Sequence, residues 1–238
     1  MPELAFVAPR ADADGAAELA AALCAEVGRQ DAAARLFPEP PPPREDRVYV
    51  VFPVGDGGEE PAPPPARTIA VLSAAPGTER FERQAELAGG AGAVFHLNSA
   101  ATERLLELGV PARHLQLGYS AEWDRGGPDR AGEVELAVVR GGYFDWPRAL
   151  AAIHAGAAVL HEEALGQAPL LGGRHLFTAA AADLDGEAAA LRGDPEALDR
   201  VCREAREFTR AALPLALAAA ALIGSARALV AQPLAAAS

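Results

Sequence analysis

The chain has 238 residues, enough for one large domain or two small ones. Half of them are apolar and only 5% aromatic, a globular composition whose core must be built from Ala, Leu and Val. A formal net charge of −12 argues against a nucleic-acid partner, since phosphate backbones are bound through a basic surface that releases counterions.

In chain order, Leu4–Ala8 is an apolar strand and Pro9–Gly15 a loop. A helix is expected over Ala16–Gly28, with Leu19, Leu23, Cys24 and Val27 on one face, Asp14 as its cap and Gly28 as its stop. Ala34–Phe37 is a weak strand. "PEPPPPRED" and "GDGGEEPAPPPA" are dense in proline and glycine and continue neither a helix nor a central strand. Between them "RVYVVFP", Arg47–Pro53, is a β-branched and aromatic run typical of a buried strand. There follow Thr68–Ser73 (strand), Thr78–Ala88 (helix), Ala93–Leu97 (strand), Ala100–Gly109 (helix, capped by Ser99) and His114–Leu117 (strand). Gly118–Gly132 is polar and glycine-rich, a hinge. Beyond it come Val134–Val139 (strand), Pro147–Ala155 (helix), Ala157–Leu160 (strand) and a short Leu176–Thr178 segment. A helix then opens on Asp194 with Pro195 at its first position, and another spans Pro214–Val230. Strands alternating with helices give an α/β fold with parallel sheets.

The opening "MPELAFVAPR" has no basic n-region and reads as a strand rather than a signal peptide. The Ala/Leu-rich tail is interrupted by Pro214, Gly224, Ser225 and Arg227, so no membrane span is expected. Two distant cysteines, Cys24 and Cys202, without metal-ligand spacing, fit a cytoplasmic protein.

The chain contains no GxGxxG after its first strand, no Walker A sequence, no GxSxG, no HExxH and no paired CxxC. His154, His161 and His175 fit no zinc template, so no metal is expected. What chemistry there is must come from carboxylates and histidines beside strand ends, where parallel sheets bind ligands. "VLHEE" puts His161, Glu162 and Glu163 just past a buried strand, and "LGQAPLLGG" supplies small residues and amides able to approach a phosphate. The same two glutamates would also suit a solvated turn. His96 and Asn98 follow another strand; His96 is either a base or a satisfied core histidine. Tyr119 and Trp123, in "GYSAEWD", either stack on a ring or seal the packing around the hinge.

Three stretches together carry a resemblance. "AGAVFHLNSAATERLLELGVPARHLQLGYSAEWD" resembles the end of the N-terminal domain of GT-B glycosyltransferases of the CgeB-like branch. "YFDWPRALAAIHAGAAVLHEEALGQAPLLGGRHLF" resembles their donor-binding segment, and "LRGDPEALDRVCREAREFTRAALPLALAAAAL" their closing helices. The resemblance implies two Rossmann-like lobes facing a cleft: 1–118 as the N-terminal, acceptor-side domain, 119–133 as hinge, and 134–238 as a donor domain. Asp145, Arg148, His154, Gly156, Glu162, Gly166, Pro169 and Leu170 match the family's pattern. Two departures stand out. At least one βαβ unit of the donor lobe is missing, and the glutamate expected to accept from the ribose hydroxyls is replaced by Ala151.

Three functions follow as expectations. The first is a reduced glycosyltransferase, with a nucleotide sugar as substrate and no cofactor. It would act on a small-molecule or peptide acceptor, with His96, or Glu162 with Glu163, orienting that acceptor and Arg148 or Arg140, together with loop amides, stabilising the diphosphate. The second is a scaffold that kept the fold but no longer transfers sugar, an accessory or repurposed protein. The third is a structural subunit. A homodimer through an exposed sheet edge is expected under any of them.

Overall fold

Runs of apolar residues that stay buried along their whole length belong in parallel sheets covered on both faces. This chain builds two parallel sheets, with the fully buried runs concentrated in the first. The computed structural model describes residues 2–8, 15–52, 63–124 and 134–232. Asp14, most of the Pro9–Gly15 loop, much of "GDGGEEPAPPPA" and the later part of the hinge lie outside them. The residues form two compact units: 1–115 together with 215–238, and 116–214.

The first unit carries six strands: β1 (Glu3–Val7), β2 (Ala34–Phe37), β3 (Arg47–Val51), β4 (Thr68–Leu72), β5 (Ala93–His96) and β6 (Ala112–His114). Their order is β2-β1-β3-β4-β5-β6, all pairs parallel. β6 thus begins two residues before the strand expected from sequence. Glu3 is a carboxylate in a buried strand, and it is held there by the Arg47 guanidinium, with Nη2 and Nε donating to Oε2 at 2.7 and 3.0 Å. Three helices follow strands of this unit: α1 (Ala16–Arg29), α2 (Glu79–Ala88) and α3 (Ser99–Glu107). α1 runs one residue past Gly28, and Asp31 adopts the left-handed backbone that ends the turn, with φ 55°.

The connection from β2 to β3 is unusual because both strands flank β1 in parallel and no helix joins them. Residues 38–46 must therefore return from the carboxyl end of one strand to the amino end of the other. Nine residues at about 3.1 Å each reach roughly 28 Å, whereas a helix of that length covers about 13 Å. The proline tract supplies the extended form. Tyr49 Oη donates to the Pro41 carbonyl at 3.0 Å, and Arg47 Nη1 donates to that of Pro42. These bonds pin the strap beside the apolar group of Ala5, Val7 and Tyr49, against which Phe37 and Val51 also pack.

The second unit has three parallel strands, β7 (Leu136–Val139), β8 (Ala158–Glu162) and β9 (Phe177–Ala179), in that order. Its helices are α4 (Trp146–His154), α5 (Leu184–Arg192) and α6 (Pro195–Ala212). α5 escapes the sequence reading, although Leu184, Ala188 and Leu191 form a buried stripe on it, packed with Leu160, Leu198 and Cys202. The segments entering and leaving this unit lie side by side. The Tyr119 N–H donates to the Leu213 carbonyl, and at Gly118 a Cβ would lie 1.8 Å from that same oxygen, so only glycine fits.

The last helix, α7 (Ala216–Ala231), starts two residues after Pro214 and packs in the first unit. The sequence-based division had grouped it with residues 134–238. Its Ala216 and Leu229 carbonyls accept from Gln30 and Arg67, and its Ser225 hydroxyl accepts from Arg113. Among the described residues no helix is long and apolar enough to cross a membrane.

Candidate functional site

The residues singled out from the sequence fall in both units, and three settings hold most of them. The first is the carboxyl end of the second unit's sheet. Here the loop after β7 and the loop after β8 are joined by backbone bonds: the Leu165 N–H donates to Gly142 O and the Phe144 N–H to Leu165 O, both at 2.9 Å. Trp146, fully buried at the start of α4, donates from Nε1 to the Gly166 carbonyl at 2.9 Å and fixes the second loop. Leu170 is buried just beyond, and Pro169 is exposed.

His161 is packed beneath this end. Its ring stacks on Phe144 with centroids 4.7 Å apart. A carbonyl only accepts, so Nδ1 carries the proton donated to Glu162 O at 2.6 Å, and Nε2 accepts from the Asp145 N–H at 3.4 Å. Burial, the largest influence, lowers its pKa. His161 thus braces the two loops with a neutral ring. Glu162 turns its Oε2 onto the Gly141 N–H at 3.0 Å, while Glu163 is exposed. Gly141 has φ 131°, a backbone reserved for glycine, and this orientation presents its N–H. Sequence reasoning missed Gly141; the paired glycines right after an apolar strand were the available signal. Asp145 caps α4, accepting from the Arg148 N–H at 3.1 Å. Arg148 and Arg140 are both exposed, and Arg140 pairs with Asp185 of α5 at 2.6 Å.

The second setting lies at the other end of the same strand. Four residue steps of about 3.3 Å separate Ala158 from Glu162, roughly 13 Å. His154, the last residue of α4, is 2% exposed there. Tyr119 meets its ring edge-on at 5.2 Å, and Trp123 lies at 5.7 Å. Neither His154 nitrogen has a hydrogen-bond partner. Burial pushes its pKa down to about 4; Asp124 opposes that shift, and Arg206 and Arg210 add to it. Asp124 binds Arg206 Nη2 at 3.1 Å, Arg210 Nη2 and the Tyr119 hydroxyl. His154, Tyr119 and Trp123 therefore form one aromatic box, away from Glu162.

The third setting is in the first unit. His96 is 1% exposed, donating from Nε2 to Ala74 O and accepting at Nδ1 from the Asn98 N–H, both at 3.0 Å. Burial pushes its pKa down to about 4. Both nitrogens are occupied by the backbone, so the ring serves as a bracket and offers no lone pair to a substrate. Asn98, not Ser99, caps α3. His175 is elsewhere again, stacked on Phe208 at 4.3 Å, so the three histidines weighed for zinc do not converge.

No family model and no curated protein matches the chain. Solved structures do. HepE from Anabaena, solved with UDP and glucose, aligns with a TM-score of 0.58 at 10% identity, covering 96% of this chain and 100% of that one. The sucrose-phosphate synthase of Thermosynechococcus elongatus gives 0.57 at 10%, covering 97% and 100%. The fold is GT-B-like. A glycosyltransferase from Rickettsia africae has the same layout, with a TM-score of 0.56 at 7% identity over 98% and 99% of the two chains. In this GT-B-like chain the second unit's sheet has three described strands against six in the first.

Proposed function

We propose that this protein is a nucleotide-sugar-dependent glycosyltransferase of the CgeB-like branch, with its donor bound at the carboxyl end of β7 and β8. The observation that carries this reading is the GT-B-like fold over nearly the whole chain, shared with HepE, which was solved with UDP-glucose. The zipped loop pair adds to it, because a strand-end site of fixed geometry is what a donor needs.

In the reaction an acceptor oxygen bonds to the anomeric carbon as the bond from that carbon to the diphosphate oxygen breaks. Glu163, exposed beside the site, takes the acceptor proton. Arg140 and Arg148 stabilise the departing diphosphate. Their present partners are exposed carboxylates, and exposed ion pairs are worth about 0–1 kcal/mol, so exchange for a diphosphate costs little. Two calorimetric and kinetic results test this. Titration with UDP-, GDP- and dTDP-sugars is expected to give heat from at least one, and Glu163→Gln to slow nucleotide release while leaving that heat in place. No heat from any of them at millimolar ligand overturns the reading.

A second reading, a scaffold that binds without transferring, is favoured by Ala151. That position is exposed on α4 and carries only a methyl group where the resemblance expects a ribose-binding carboxylate. Donor binding with no nucleotide release in the presence of any acceptor would select it.

A further inference from the structure

The carboxyl end of the β7–β8–β9 sheet fills its own anion positions. Phosphates are held by backbone N–H groups at glycine turns and helix starts and by arginine guanidinium groups. Here the Gly141 N–H is taken by Glu162, the start of α4 by Asp145, and Arg140 by Asp185. Arg148 Nε lies 3.9 Å from Asp145. Three of these contacts have ordinary structural explanations, since Asp145 is a helix cap and the two arginine pairs are exposed. The Glu162 contact does not. Its side chain comes from the last residue of a buried strand and crosses to the neighbouring loop to satisfy one glycine amide. That amide belongs to a residue at φ 131°, a backbone angle that glycine alone adopts without strain.

We infer that Glu162 is an internal anion seated on the Gly141 amide, and that a nucleoside diphosphate binds this end only by displacing it, so that Glu162 sets the site's affinity for phosphate. The inference rests on the reading that the donor binds here. In the resting chain the carboxylate satisfies an amide that would otherwise be left to water. When the ligand arrives the carboxylate must leave that amide, and it then stands as a like charge beside the diphosphate. Affinity is lowered twice, once for each effect.

The probe is UDP alone, titrated calorimetrically against the full chain and three variants. Glu162→Gln keeps an acceptor for the amide but removes the charge; Glu162→Ala removes both; Glu207→Gln removes an exposed charge of α6 without touching the amide. Glu162→Ala is expected to bind UDP about tenfold more tightly than the unmodified protein, the equivalent of about 1.4 kcal/mol. Glu162→Gln should fall between, Glu207→Gln within about twofold, and the gaps should narrow as salt screens the charge. Tryptophan fluorescence melts establish that each variant is folded, and exchange of the Gly141 amide, faster in Glu162→Ala and slowed by UDP, provides a second readout. UDP bound by the unmodified protein with no gain in either Glu162 variant overturns this inference alone. UDP bound by none of the four, with GDP and dTDP equally silent, overturns it together with the donor reading.

Discussion

His96 and His154 show how two side chains of one kind, both buried and both held neutral, come to opposite energetic roles. His96 satisfies a carbonyl and an amide at once, whereas His154 satisfies nothing and is accommodated by the faces and edges of Tyr119 and Trp123. Each has its pKa pushed by burial from 6.5 to about 4. Between those values the unfolded chain takes up a proton that the folded chain refuses. Stability is therefore full above about pH 6.5 and falls as the pH drops toward 4, by up to about 3 kcal/mol per histidine. Substitution separates the two. His154→Phe removes two unpartnered nitrogens and is expected to raise stability at pH 7 by about 1 kcal/mol and to flatten the acid loss. His96→Phe leaves the Ala74 carbonyl and Asn98 amide unpaired and should cost about 1–3 kcal/mol. Urea melts at pH 7 and pH 5 check both, and an unchanged pH slope in His154→Phe would count against the assignment. None of this was legible in the sequence. A buried histidine reads the same in sequence whether its nitrogens meet backbone or aromatic rings, and the Ala74 carbonyl lies 22 residues from His96 while Tyr119 and Trp123 lie on a loop well before α4.

Elements are where the sequence spoke most clearly, and its errors are local. In "LNSAATE" both Asn98 and Ser99 are good caps, one position apart. Asn98 takes the role because its backbone is extended, at φ −122° and ψ 130°, which lets Oδ1 accept from the Ala101 N–H at 3.1 Å. Asn98→Ala is thus expected to cost about 1 kcal/mol and Ser99→Ala less than about 0.5 kcal/mol, as measured by thermal or urea melts. The reverse order would place the cap on Ser99. The buried strands were readable because parallel sheets demand uninterrupted apolar runs, and most helices because their faces repeat at helical spacing. α5 was lost for the opposite reason: nine residues with three alanines and one glycine leave a stripe too short to stand out from a loop. The proline tract was recognised as neither helix nor central strand. Its task, an extended return from β2 to β3, depends on knowing that both strands flank β1, and that is a pairing the local pattern does not encode. The candidate site divides the same way: the strand-end position of Glu162 was legible, but its amide partner 21 residues earlier was not.

At the scale of the molecule the chain leaves its first unit after Leu115 and comes back to it at Leu215. Nothing local announces that return. α7 is apolar nearly all round, so its pattern declares burial without saying against which sheet. The contacts that settle it come from residues over 100 positions away, among them Arg67 to the Leu229 carbonyl and Arg113 to Ser225 at 2.7 Å. α7 buries Leu222, Ile223 and Leu229 with four small residues. At about 1.5–3 kcal/mol for each large side chain, its removal takes away roughly 5–9 kcal/mol, comparable with the whole stability of a typical domain. A chain ending at Pro214 is therefore expected to lose the fold of the first unit. The second unit has all of its own helices and should survive. The protein contains the means to see this, because both of its tryptophans, Trp123 and Trp146, lie in the second unit. In the shortened chain a cooperative tryptophan fluorescence transition should persist near its original midpoint, while far-UV circular dichroism at pH 7 drops by the contribution of the first unit. If instead circular dichroism stays intact and the fluorescence transition is lost, α7 supports the second unit, and the division of the chain drawn from its contacts is wrong.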